Sequence, residues 1–104
     1  MRMNGAEVTA FLRGQSVYGL DPQTREVAAC IDYATDGTCI ARFIDGSTDA
    51  GVWGVEDDNY WTRYENFRQG KRHVFSLEPL GKGVAQAYFA DGTIAFLQSH
   101  SETP

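Results

Sequence analysis

The chain has no apolar run near the roughly 18 residues a bilayer-spanning helix requires. Its N-terminus, MRMNGAEV, carries no apolar secretory segment. As written it reads as soluble, cytoplasmic and without a membrane partner, and as periplasmic if a signal peptide has been removed. Basic residues are few: nine Lys and Arg stand against fourteen Asp and Glu, for a formal net charge of -5. Nucleic-acid binding is driven by cations that displace counterions from phosphates, so this balance argues against such a partner. Histidine is limited to His73 and His100, far apart and outside any ligand spacing, so no metal is expected. No phosphate-cradling glycine loop, dinucleotide fingerprint or nucleophile elbow occurs, and no cofactor is expected. The acidic run Glu56-Asp57-Asp58 lacks the spacing of a calcium loop and reads as a solubilising turn.

Proline is scarce at three residues, whereas glycine reaches eleven and Asp-Gly recurs at Asp36-Gly37, Asp45-Gly46 and Asp91-Gly92. Asp-Gly between alternating segments signals a hairpin turn, because both residues tolerate positive φ. With 104 residues and no linker, the expected fold is one mainly β domain spanning 1–104. It is an antiparallel up-and-down meander of about seven or eight strands curled into a small barrel, with one short N-terminal helix. Strands are expected near 15–20, 25–35, 38–45, 49–56, 59–65, 72–79, 84–90 and 93–99, ahead of a frayed tail at 100–104. The helix is expected over about 5–13, with Asn4 as N-cap, Glu7 completing a capping box, and Val8, Phe11 and Leu12 on its buried face.

Cysteine is present twice. If Asp36-Gly37 is a two-residue turn, positions summing to 73 face each other, and Cys30 and Cys39 share a face about four residues apart. At roughly 3.3 Å per residue that exceeds ~12 Å, beyond the ~7 Å limit for a disulfide, so two free thiols are expected. In this register one face of the hairpin carries Val27, Ala29, Ile31, Tyr33, Ile40, Arg42 and Ile44. The other carries Ala28, Cys30, Asp32, Ala34, Cys39, Ala41 and Phe43. The first has more apolar bulk and is expected inside. Either choice buries one charge, Arg42 or Asp32, and a buried charge needs a partner or a ligand.

The next hairpin, Ala50 to Tyr64, holds both tryptophans. A two-residue tip at Asp57-Asp58 groups Trp53, Val55, Tyr60, Thr62 and Tyr64 on one face and leaves Trp61 opposite; a three-residue tip would bring Trp61 inside with Trp53. The loop from Glu65 to Gly70 follows, and with Arg63, Lys71, Arg72 and His73 it forms the single basic cluster. It reads either as a solvated loop or as an anion- or carboxylate-binding rim. In the last hairpin Ala87, Phe89, Ile94 and Phe96 are expected on one face and Gln86, Tyr88 and Leu97 on the other.

The segments Gln15-Ser16-Val17-Tyr18-Gly19, Tyr33-Ala34-Thr35-Asp36-Gly37-Thr38, Gly51-Val52-Trp53-Gly54-Val55-Glu56 and Tyr60-Trp61-Thr62-Arg63-Tyr64 carry a resemblance over about positions 11 to 98. They resemble a group of small uncharacterised proteobacterial β-meander proteins, themselves similar to calycin-like barrels of the lipocalin and streptavidin type. The resemblance implies a barrel, in a group many of whose members are exported. The chain departs from the cysteine-bearing version of the Tyr60–Tyr64 strand.

The leading functional expectation is a barrel that binds a small, partly apolar ligand. Tyr33, Trp53, Tyr60 and Tyr64 would be its walls and Arg42 its polar anchor. A second is a small barrel enzyme of the isomerase, cyclase or lyase type, with a buried Asp32 as general base and Tyr33 or Tyr60 as acid. A third is a homodimer or protein-interaction module that pairs outward apolar groups such as Ala28, Cys30, Ala41, Phe43, Leu97 and Tyr88.

Overall fold

In a computed structural model that describes residues 1–104, eight strands run in sequence order around a closed antiparallel barrel. They are β1 (Ser16–Leu20), β2 (Val27–Tyr33), β3 (Thr38–Phe43), β4 (Thr48–Glu56), β5 (Asn59–Tyr64), β6 (His73–Gly81), β7 (Val84–Phe89) and β8 (Ile94–Ser99). Closure comes from β1 pairing with β8, Tyr18 opposite Ser99 and Leu20 opposite Leu97, which leaves no free edge strand. No helix is long and apolar enough to cross a membrane.

The helix α1 (Gly5–Leu12) forms as its sequence dictates. Asn4 Oδ1 accepts from the Glu7 amide at 2.9 Å, and Glu7 Oε1 accepts from the Asn4 amide at 3.0 Å, a complete capping box. Asp58 at the tip between β4 and β5 adds a carboxylate that accepts from the Gly5 amide at 2.8 Å, where the helix dipole favours negative charge. Val8, Phe11 and Leu12 are buried in the core, and Met3 N donates to Leu77 O at 2.7 Å. Arg13 Nη2 donates to Thr35 O, and His100 stacks on Phe11 at 4.3 Å. The helix therefore spans the barrel end formed by the β2–β3 turn, the β4–β5 tip and the end of β8. The tail begins docked, because His100 N also donates to Gly83 O, which corrects the expectation of fraying from residue 100 onward.

The Asp-Gly turns decide the register. In all three the loop has three residues. Ala34 N donates to Thr38 O, Phe43 N to Ser47 O and Phe89 N to Thr93 O, with Gly37, Gly46 and Gly92 at φ 89, 89 and 88. The aspartate adds a second constraint each time: its Oδ1 accepts from both the backbone amide and the hydroxyl of Thr38, Ser47 or Thr93. This is a type I turn closed by a glycine bulge, and it holds one residue more than a two-residue turn.

The extra residue reverses the parity of β3 relative to the expected pairing. Ala29 faces Phe43, Ile31 faces Ala41 and Tyr33 faces Cys39, so Cys39, Ala41 and Phe43 point inward with Ala29, Ile31 and Tyr33. Ile40 and Ile44 point outward, Ile44 at 79% exposure. Both cysteines are free, as expected, but they lie on opposite faces, Cys39 inside and Cys30 outside. In the last hairpin the same turn sends Ile94 outward, and a bulge between Gln86 and Tyr88 returns Phe96 to the interior alongside Ala87 and Phe89.

The β4–β5 tip, by contrast, is a two-residue loop: Glu56 pairs with Asn59 and Val55 with Tyr60, and Asp57 takes φ 55. Trp53, Tyr60, Thr62 and Tyr64 are buried on one face, and Trp61 lies outside. Trp61 lies across Gly54, where any Cβ would come within 2.9 Å of its indole, and the Arg72 guanidinium sits 4.5 Å above its ring. Gly54 is thus the residue that lets this outer ring lie flat on the sheet.

Candidate functional site at the open end of the barrel

Opposite the helix the barrel is open. The mouth is framed by Asp21 and Pro22 after β1, Phe43 at the end of β3, Phe67 and Arg68 before β6, and Phe96 near the start of β8. Behind it lies a cavity of about 350 Å³ with nineteen lining residues, thirteen of them hydrophobic, so it is a mainly apolar lumen with few polar groups. Its walls include Ile31, Tyr33, Ala41, Tyr60, Tyr64 and Phe75. Small side chains leave the space: Gly19, Ala29, Ala41 and Ala95 contribute little volume where a barrel of this strand number could otherwise be filled.

The aromatic wall is continuous. Tyr33 meets Trp53 edge-on at 5.3 Å and Tyr60 at 6.3 Å, Tyr60 packs on Phe75 at 5.2 Å, and Phe75 touches Phe89 and Phe96 at 5.5 and 5.2 Å. Burial raises the pKa of Tyr33, Tyr60 and Tyr64 above the ordinary phenol value, so all three are neutral hydroxyls at neutral pH. Gln98 shares the lumen and is fully buried. Its Nε2 donates to the Tyr60 hydroxyl at 3.2 Å, while its Oε1 has no partner.

The one cation in the lumen is Arg68. It stands in the short 3-10 segment Phe67–Gly70, where Arg68, Gln69 and Gly70 take φ 56, 59 and 67 in succession. Two consecutive non-glycine residues in the left-handed region are strained, and the surrounding structure must hold them there. Asp49 at the start of β4 does so. This buried carboxylate accepts from Phe67 N at 2.7 Å, Asn66 N at 3.1 Å and Asn66 Nδ2 at 3.2 Å. These bonds, the Phe67 amide foremost, hold its pKa below the usual carboxylate value. Phe67 closes the clamp by packing on Phe43 at 5.0 Å and Tyr64 at 5.6 Å.

The loop turns Arg68 inward. Its guanidinium carbon lies 4.8 Å from the Phe67 ring centroid, 5.0 Å from Phe75 and 5.6 Å from Phe96. Desolvation lowers its pKa. Arginine stays protonated regardless. None of the four ion pairs in the protein involves it: these join Met1 and Arg2 to Glu78, Arg42 to Asp32, and Arg72 to Glu56. A partly buried guanidinium without a carboxylate partner is costly unless something else meets it.

Of the residues expected to bind ligand, Tyr33, Tyr60 and Tyr64 meet in the lumen. Trp53 is buried beside them but belongs to the floor, where its indole Nε1 donates to Ala34 O at 3.0 Å. Arg42 and Asp32 are corrections. The three-residue turn puts Arg42 on the outer face with Asp32, where they pair at 2.5 Å and Ser16 Oγ donates to Asp32 at 2.6 Å. Their side chains are 52% and 38% exposed, so Arg42 anchors nothing in the lumen and Asp32 offers it no base. Ala41 and Phe43 are likewise inside and unavailable to an outer interface.

Arg68 and Gln98 were the residues that sequence reasoning passed over. Arg68 lay in the basic cluster noted as a candidate anion rim, and Gln98 shares strand parity with Phe96 in an otherwise apolar segment. No family model, no curated protein and no solved structure matches the chain. The class that can be stated is the one its own fold and cavity define: a closed eight-stranded meander barrel, capped by a helix at one end and open at the other onto an apolar lumen.

Proposed function

We propose that the protein is a binding barrel for a small, partly apolar molecule that enters through the open end and lodges against Tyr33, Tyr60, Tyr64 and Phe75. The observation that carries this reading is the lumen: about 350 Å³ of mainly apolar space, within the size range of small-ligand pockets, in a barrel whose other end is capped. The resemblance to calycin-like barrels supports it, since eight strands suffice to hold one small ligand. Catalysis through Asp32 has no support, because that carboxylate faces away from the cavity and is engaged by Arg42 and Ser16.

The neutral apolar dye N-phenylnaphthylamine provides the test, because it brightens when it leaves water. Saturable brightening with one dye per chain, together with a raised melting temperature, is the expected result. If the dye stays dark and the melting temperature does not move with this or any anionic analogue, the lumen is not a ligand site.

A further inference from the structure

Resting on the reading of the lumen as a ligand site, we propose that its ligand is an apolar-bodied organic monocarboxylate, with the head group taken by the Arg68 guanidinium and a second polar contact made to Gln98.

Three features lead there. First, Arg68 is the sole cation of the cavity, is turned inward, and has no carboxylate of the chain within 4.0 Å. Nine basic residues serve this acidic protein, and the fold spends one of them on an apolar lumen. A planar guanidinium matches a carboxylate in a bidentate pair. Second, the backbone is strained to place it. Left-handed φ at Arg68 and Gln69 is maintained by the Asp49 bonds to Asn66 and Phe67, so the inward aim is imposed by the structure rather than chosen by a free side chain. Third, one end of the buried Gln98 amide is unpaired. In the orientation described, Oε1 lacks a donor; with the amide turned over, the nitrogen would lack an acceptor. A ligand hydroxyl satisfies it either way.

Charge selects among anions. One guanidinium offsets one negative charge, and the protein as a whole carries -5, so a dianionic phosphate would meet net repulsion where a monocarboxylate would not. The neutral phenols of Tyr33, Tyr60 and Tyr64 add hydrogen-bond capacity without competing for the cation.

The test compares naphthoate with its neutral isostere naphthamide by calorimetry, with N-phenylnaphthylamine binding as the check that the lumen is intact. Naphthoate should bind at least about tenfold tighter than naphthamide, the factor expected of a charge-assisted pair in a partly buried site. Arg68→Gln should erase that preference while leaving dye binding intact; Arg68→Lys should keep part of it; and Arg42→Gln should leave it untouched. Hydroxynaphthoate should bind tighter than naphthoate in the unmutated protein and no tighter in Gln98→Leu. Dye binding with equal affinity for acid and amide would overturn the proposal and leave the lumen as a ligand site. Failure of dye, acid and amide alike would overturn both. A carboxylate preference that survives Arg68→Gln would place the anion site elsewhere, and equal affinity for the hydroxylated and plain acids would remove Gln98 from it.

Discussion

Replacing Gly37, Gly46 or Gly92 by alanine probes the device that sets the barrel's register. Each glycine sits at φ 88 or 89, well beyond the left-handed minimum, and closes a three-residue Asp-Gly loop. Holding an L-residue in the left-handed region costs about 1–2 kcal/mol, and alanine returns about 0.4–1 kcal/mol by restricting the unfolded chain. The net loss is then about 1 kcal/mol per site, or about 4–8 °C in melting temperature for a domain of this size. Space does not enter: a Cβ at Gly46 or Gly92 meets nothing within 4 Å, and at Gly37 only a carbonyl oxygen at 3.8 Å, so the penalty is purely conformational. The three loops belong to separate hairpins, so a triple variant should lose about 3 kcal/mol by additivity. Gly81→Ala is the control, because that site is equally open and has no positive φ, so it keeps only the unfolded-chain gain and should be stabilised by about 0.4–1 kcal/mol. Urea unfolding at neutral pH measures all five variants against the parent protein. If Gly81→Ala costs as much as the loop substitutions, the glycine-bulge account of the register is wrong.

Two further outcomes are expected. Asp49 has a folded-state pKa below its unfolded value, so its stabilisation is present above the unfolded pKa of about 3.9 and is lost as pH falls through the depressed folded value. Asp49→Asn should therefore be destabilised at neutral pH, with the gap to the parent protein narrowing in acid; parallel urea midpoints between pH 3 and 7 would contradict this. Iodoacetamide at neutral pH should label Cys30 before Cys39, because Cys39 is buried and its thiol is pushed up to about 11; mass spectrometry showing the reverse order would refute the inward placement of Cys39.

Much of the architecture was legible because local chemistry determines it. Asn4 and Glu7 specify the helix start, the alternation of Phe75 and Leu77 specifies β6, and Asp-Gly marks the three turns. Strand faces were harder, since a single residue in a turn reverses every side chain beyond it. Asp-Gly suits both a two-residue turn and a type I turn with a glycine bulge. The distinguishing feature is the Thr or Ser that follows, whose amide and hydroxyl both donate to the aspartate. In the first of these turns the extra loop residue, Thr35, moves Arg42 from the lumen to an outer ion pair. Arg68 was hidden for a different reason. Its inward aim depends on left-handed backbone at two non-glycine residues and on Asp49, which is seventeen positions from Asn66, and no local pattern encodes that contact.

The hairpin from Ala50 to Tyr64 shows both kinds of outcome. Its two-residue tip places Tyr60 and Tyr64 on the lumen wall, and the same parity leaves Trp61 to Gly54 and Arg72 on the outside. Asp49, immediately before it, fixes the loop that carries the cation. Wall and cation are therefore organised by one stretch of chain, which ties the lumen's shape to its charge.

The most direct measurement is a nuclear magnetic resonance titration of the isotope-labelled protein with naphthoate. The account predicts that the largest shifts fall on the Arg68 side-chain Nε–H and on Tyr60, Tyr64, Phe96 and Gln98, with the Arg42 and Arg72 signals unmoved. Shifts centred on Arg42 or Arg72, with the lumen residues silent, would contradict it.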